Sequence, residues 1–238
     1  MNQTVPSLHR LALLACLFTS LSLRADPPAP PTRVACVGDS ITYGAGLKDR
    51  HNDSYPVQLG HLLGTGWQVR NFGVSGATML TKGNLPYIKQ KTHNVAIAFK
   101  PDVVIIMLGT NDSKHRTAGV TNNVPDNWQY KAEYVPDYEA LIAEFRQANP
   151  AVKIYVCDPT PCFPGFWGIN DDTIHHEIIP LIHQVAAESK VGEIDLYDPF
   201  VGHKELFVDG VHPTDDGAKL LAADVYLALT GKNPPPAQ

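Results

Sequence analysis

A chain of 238 residues, 44% hydrophobic and 18% charged, has an ordinary globular composition, with enough apolar side chains for one sizeable core and a single domain. Its formal charge is −5, from 24 acidic and 19 basic residues. That balance leaves no basic surplus to attract nucleic acid or an anionic membrane, so both are set aside as partners.

The first residues stand apart. His9-Arg10 closes a short n-region, an apolar run follows over 11–23, and Ala25 precedes a Pro-rich stretch. The pattern predicts a signal peptide over residues 1–25 and a secreted or periplasmic address, the run being too short for a spanning helix. LLAC, ending at Cys16, is similar to a lipoprotein box, but too few apolar residues precede Cys16 for an h-region of ~7–15, which disfavours an anchor there. Residues 26–32 read as a stiff extended lead-in, 33–232 as the folded domain and 233–238 as a flexible tail.

Within the domain, five short apolar runs bounded by Gly, Pro or Asp predict strands at 34–37, 67–71, 103–108, 153–157 and 193–196. Being Val/Ile-rich throughout, they read as strands buried on both faces of a parallel sheet. Helical periodicity appears between them at 56–63, 134–148 and 171–190, and once more at 214–230. The third of these carries Pro180, which predicts a kink; the last ends at Gly231. Strands alternating with helices indicate a doubly wound α/β sheet. The segment 113–133 shows no periodicity and exceeds the ~12–15 residues of an ordinary loop, which marks it as functional or disordered.

In such sheets ligands bind beyond the carboxyl ends of the strands. The first run is followed by Gly38-Asp39-Ser40, the second by NFGVSG with Gly73, the third by GTNDS with Asn111, the fourth by CDPTPCFPGFWG. VDGVHPTDDG, with Asp209 and His212, comes just before the last helix. A hydroxyl, an amide, a flexible backbone donor, an imidazole and a carboxylate on one rim are the parts needed for acyl transfer. Three residues apart across Gly210, Asp209 can fold back onto His212.

These blocks, GDSIT, the glycine after the second strand, GTND and DGVHP, resemble in order and separation the four sequence blocks of the SGNH (GDSL-type) hydrolases. The similarity covers about Arg33 to Lys232 and is greatest to the carbohydrate O-acetylesterases, sialate O-acetylesterases among them. It implies a three-layer α/β/α fold with a five-stranded parallel, flavodoxin-like sheet. It also implies a Ser40–His212–Asp209 triad, an oxyanion hole from the N–H groups of Ser40 and Gly73 with the Asn111 amide, and no cofactor. The substrate it implies is an acetylated carbohydrate, of sialate or polysaccharide type. A lysophospholipase or thioesterase of the same fold, and a non-catalytic sugar-binding module, stand as alternatives.

Asp39 is read chiefly as a turn residue. It is also carried as a substrate contact with the loop aromatics Trp128, Phe163 and Trp167, flat faces suited to sugar rings; Tyr130 and Phe166 share those loops, and packing onto the sheet is the other reading of the aromatics. Export would permit a Cys157–Cys162 disulfide, the alternative being two buried thiols, while Cys36 reads as a small core residue. No metal site is expected: no H-E-x-x-H occurs, and neighbours such as His175 and His176 on a helix point about 100° apart. GDSITYGAG lacks the lysine of a phosphate loop, so nucleotide binding is not expected either.

Overall fold

The computed structural model describes residues 1, 29–115, 124–163 and 168–235. The signal-peptide region from residue 2 onward, Cys16, Phe166 and Trp167 lie outside the described residues, as do parts of the lead-in, of the 113–133 loop and of the tail.

Five parallel strands form one sheet: β1 (Thr32–Gly38), β2 (Trp67–Gly73), β3 (Val103–Met107), β4 (Lys153–Cys157) and β5 (Gly192–Ile194). Their order is β2-β1-β3-β4-β5, the flavodoxin-like arrangement, with Val34 opposite both Val69 and Val103 and Cys157 opposite Ile194. Successive side chains on a strand leave on opposite faces, and both faces here are covered. Ala35, Val37, Val104 and Ile106 pack with residues of α5 (Tyr134–Ala148) and α7 (Ile179–Ser189) on one side. Val34, Cys36, Ile105 and Met107 pack with residues of α3 (Tyr55–Leu63) and α8 (Asp215–Thr230) on the other. Three layers follow from that alternation. α1 (Ser40–Tyr43), α2 (Arg50–Asp53) and α4 (Lys91–Ala98) are shorter.

Local chemistry sets the element ends. The Thr214 hydroxyl caps α8 by accepting from Gly217 N–H at 3.2 Å, and Gly231 closes it with φ 67°. α5 stops at Asn149, held extended because Pro150 follows it. β5 ends at Ile194, earlier than the apolar run suggests, because the next residue turns the chain: Asp195 Oδ1 accepts from Tyr197 and Asp198 N–H at 2.8 and 3.0 Å. α4 left no periodic signal because it buries only His93 and Ala96 while Val95 is exposed.

The kink expected at Pro180 is a change of winding. α6 (Asp171–Thr173), a π turn over Ile174–Ile178 and α7 run on as one helix. Proline has no N–H to return to the preceding turn and its ring crowds the carbonyl there, and the wider turn just before it absorbs the mismatch. That winding stacks the His175 and His176 rings at 4.4 Å instead of splaying them.

Cys36, Cys157 and Cys162 are all free and buried, so the 157–162 disulfide does not form. The reason is positional: Cys162 belongs to the core on the α5/α7 face and Cys157 to the core on the α3/α8 face. Burial pushes the Cys36 and Cys162 thiols up to about 12.

Leu221 of α8 is 1% exposed. Leu221→Ala is expected to lower the unfolding free energy by about 2–5 kcal/mol, read from urea midpoints. A loss below about 1 kcal/mol would mean that α8 does not seal that face.

Candidate active site

With β1 flanked by β2 on one side and β3 on the other, the loops after β1 and β3 diverge and leave a crevice at the carboxyl edge. Ser40 follows β1 and Asn111 follows β3, so both stand at that crevice. Asp39 caps the single turn of α1, Oδ1 accepting from Ile41 N–H at 2.9 Å, and Gly44 ends it in the left-handed region. Ser40 is thereby the first residue of a turn clamped at both ends.

His212 arrives from the loop before α8. Its Nδ1 lies 2.6 Å from Asp209 Oδ2, and its Nε2 lies 2.9 Å from Ser40 Oγ. Asp209 Oδ1 accepts from the N–H groups of Val211 and His212 at 3.0 and 2.8 Å, with Gly210 at φ 86° making the tight turn. Burial alone would raise the Asp209 carboxyl, but these N–H bonds and the imidazole outweigh it and hold it below the ordinary value. An ionised Asp209 keeps the Nδ1 proton on its own side, which leaves Nε2 to accept from the Ser40 hydroxyl. That relay can take a proton from Ser40 Oγ as it attacks a carbonyl.

Ser40, Ser75, Gly76, Asn111, Lys114, Ile169 and His212 line a cavity of about 180 Å³. The Asn111 amide donates to Ala77 O at 3.1 Å and, more loosely, to Asp39 Oδ2 at 3.4 Å.

Gly73 is placed differently from its expected role. Its N–H already donates to Asn71 Oδ1 at 2.9 Å and it does not line the cavity. A Cβ there would meet Tyr43 N at 2.2 Å, so this glycine lets α1 lie against the strand end. Gly76, three residues on, takes φ 82°, lines the cavity, and among the described residues its N–H has no partner. The signal for it was the Ser75-Gly76 turn pair; the nearer glycine is the one a strand-end rule selects.

Three of the four expected substrate contacts can be placed. Asp39 is wholly buried in its turn and offers a substrate no surface. Trp128 is also buried, its Nε1 donating to Glu177 Oε2 at 3.0 Å and its ring edge-on to Tyr134, so it holds its segment onto the core. Phe163 backs the His212 loop: its N–H donates to Gly210 O at 2.8 Å and its ring packs on Phe207. Trp167 is outside the described residues.

A second layer of charge lies behind the cavity. Asp112 accepts from the N–H groups of Met79 and Leu80 at 2.9 and 2.8 Å, tying the loop after β2 to the turn after β3. Burial pushes Asp39 up to about 6 and Asp112 to about 7, against the pull of their N–H donors. Elsewhere, His183 Nε2 sits 3.2 Å from Asp158 and 3.3 Å from Glu193 at the β4–β5 edge, a grouping the sequence did not single out. One imidazole nitrogen facing both carboxylates is accounted for as a shared hydrogen bond.

Comparison with known proteins is consistent with this geometry. The profile of the GDSL-like lipase/acylhydrolase family matches residues 36–220. An acetylxylan esterase of Xylanibacter ruminicola is 42% identical across 85% of this chain, which spans 44% of that protein. Among solved structures, the aryl esterase of M. smegmatis superposes with a TM-score of 0.61 at 21% identity, covering 84% of this chain and 99% of that one. A carbohydrate acetylesterase from Sinorhizobium meliloti gives 0.61 at 22% identity, with the same coverage of each chain. At these identities the two structures speak to the fold alone.

The raised carboxyls make a pH test. Asp112 ionises near 3.8 when unfolded and near 7 when folded, so between those values the unfolded chain holds fewer protons and stability falls as pH rises. Wild-type urea midpoints are expected to drop from about pH 5 to about pH 7.5, and Asp112→Asn to flatten that drop. An unchanged slope in the variant would assign the proton to another group.

Proposed function

The chain belongs to the GDSL-like lipase/acylhydrolase family, and from that premise we propose that it is a serine esterase removing O-acetyl groups from a carbohydrate. The observation that carries the reading is the pair of hydrogen bonds joining Ser40, His212 and Asp209 at 2.9 and 2.6 Å beside a small cavity. Ser40 Oγ attacks the ester carbonyl as His212 Nε2 takes its proton, and Asp209 stabilises the imidazolium. The oxyanion is held by the N–H groups of Ser40 and Gly76 and by the Asn111 amide, whose loose bond to Asp39 is the one it gives up. As the intermediate collapses and the acyl C–O bond to the sugar breaks, His212 gives the proton to the departing sugar oxygen, leaving acetyl-Ser40. Water, deprotonated by the same imidazole, then releases acetate.

Cavity size supports the acetyl specificity. About 180 Å³ is below the ~300–1,000 Å³ of pockets that enclose a drug-sized ligand, so the acyl group is small and the sugar stays at the mouth. A lysophospholipase or long-chain thioesterase would need a longer apolar channel. The acetylxylan esterase relative makes an O-acetylated plant polysaccharide the first substrate to try, ahead of acetylated sialic acid. We also propose secretion on the N-terminal signal pattern; no helix among the described residues is long and apolar enough to cross a membrane.

Initial rates on p-nitrophenyl acetate and octanoate, for wild type and Ser40→Ala, test this directly. Fast acetate turnover that collapses in the variant, with little on octanoate, is the expected result. A preference for octanoate would replace the acetylesterase by a lipid or thioester hydrolase, and Ser40-independent rates would remove the nucleophile.

Asn111→Ala is expected to lower kcat by roughly 10²–10³, the usual loss for one oxyanion donor. Near-full activity in that variant would exclude the side-chain amide from the hole.

A further inference from the structure

We propose that Lys114 selects the substrate, binding through its ammonium a carboxylate that the sugar carries close to its acetyl ester. The inference rests on the esterase reading above and narrows it to acetylated acidic sugars. Of the described residues lining the cavity shared by Ser40, Asn111 and His212, Lys114 alone carries an ammonium group. It is 9% exposed, and among the described residues its ammonium makes no hydrogen bond or ion pair. A cation held in that state gains most from an anion that arrives with the ligand.

Its position is built into the fold. Lys114 N–H donates to Asn111 O at 3.4 Å, and Lys114 O accepts from both Asn127 and Trp128 N–H, at 2.9 and 3.1 Å. Asn127 is fixed in turn, its side-chain amide donating to Asn111 O at 2.8 Å. The turn that presents the Asn111 amide therefore also fixes the lysine, three residues on. Asp39 and Asp112 lie near enough to act on the ammonium electrostatically, yet both are fully buried and already accept backbone N–H bonds. They reduce the cost of burying the cation without occupying its donors. Burial still holds Lys114 below the ordinary lysine value, against those two carboxylates.

The small cavity locates the anion. Once an acetyl group occupies it, the charge that Lys114 meets has to sit on the sugar ring at the mouth. A uronate residue of a polysaccharide and a sialic acid both present such a carboxylate, so the test has an arm for each.

The experiment compares wild type, Lys114→Met and Lys114→Arg on four esters. These are p-nitrophenyl acetate, O-acetylated xylo-oligosaccharides, O-acetylated galacturonate oligosaccharides and O-acetyl sialic acid. Wild type is expected to favour at least one acidic substrate, and the one it favours identifies the source. Lys114→Met should lower kcat/KM on that substrate, mainly through KM, by roughly ten- to hundredfold more than it lowers kcat/KM on p-nitrophenyl acetate. Lys114→Arg should keep most of the preference. An equal fall in kcat on all four esters, or no acidic preference in wild type, would overturn the proposal. Calorimetric binding of galacturonate oligosaccharide and sialic acid to Ser40→Ala, with and without Lys114→Met, separates the two readings. Loss of Ser40-dependent turnover on every ester would remove the esterase, whereas acidic-sugar binding insensitive to Lys114→Met would remove the lysine's role alone.

Discussion

Everything at the site depends on how closely α1 lies against the ends of β1 and β2. A Cβ on Gly38 would stand 2.1 Å from Thr42 Oγ1 and 2.7 Å from Met107 O; one on Gly73 would stand 2.2 Å from Tyr43 N. No side chain fits at either place, so the two glycines are what allow a one-turn helix to begin directly on the strand edge. Asn71 fastens the arrangement, donating to Thr42 O at 2.7 Å while accepting from Gly73 N–H. Ser40 is held at the crevice by backbone packing, and its hydroxyl is left free to meet His212.

The polar groups behind the cavity follow from the same crowding. A loop that turns under a helix leaves backbone N–H groups away from water, and each needs an acceptor. Asp39 supplies one for Ile41 and Asp112 supplies two, for Met79 and Leu80. Two buried carboxylates near one another would cost more than these bonds return if both were ionised. The raised affinity for protons and the neighbouring Lys114 both relieve that cost. The charges at the base of the site thus belong to one structural solution that fixes three loops relative to one another.

Much of this was legible in the sequence, for identifiable reasons. Strands buried on both faces write themselves as unbroken apolar runs, so the edges of β1, β3 and β4 fell within two residues of expectation. Asp209 and His212 could be paired because a three-residue separation across a glycine leaves few geometries. Spacing said nothing about which of two nearby glycines faces the cavity: Gly73 and Gly76 differ in what approaches them from α1, a contact 30 residues distant. Cys157 and Cys162 illustrate the same limit, since their five-residue separation conceals the sheet between them. For Trp128 the sequence left sugar contact and packing both open, because an aromatic residue in an aperiodic segment reveals neither until its anchors, Glu177 and Tyr134, are known.

The division of labour between the two ends of the chain explains why so little of it touches the cavity. The Asp209–His212 turn satisfies itself: the carboxylate bonds two N–H groups and the imidazole within four residues, and Phe163 and Phe207 brace it from outside. A Cβ on Gly46 would stand 3.1 Å from His212 Cβ, so a glycine there lets this turn come close to the end of α1. The Ser40 turn, the loop with Gly76 and the turn of Asn111 are interlocked instead, through Asp39, Ala77 and Asp112. Lys114 sits in the turn of Asn111 and so belongs to this second unit. The Asp209–His212 pair is thus held by its own backbone, while the groups facing it across the cavity are held by one another.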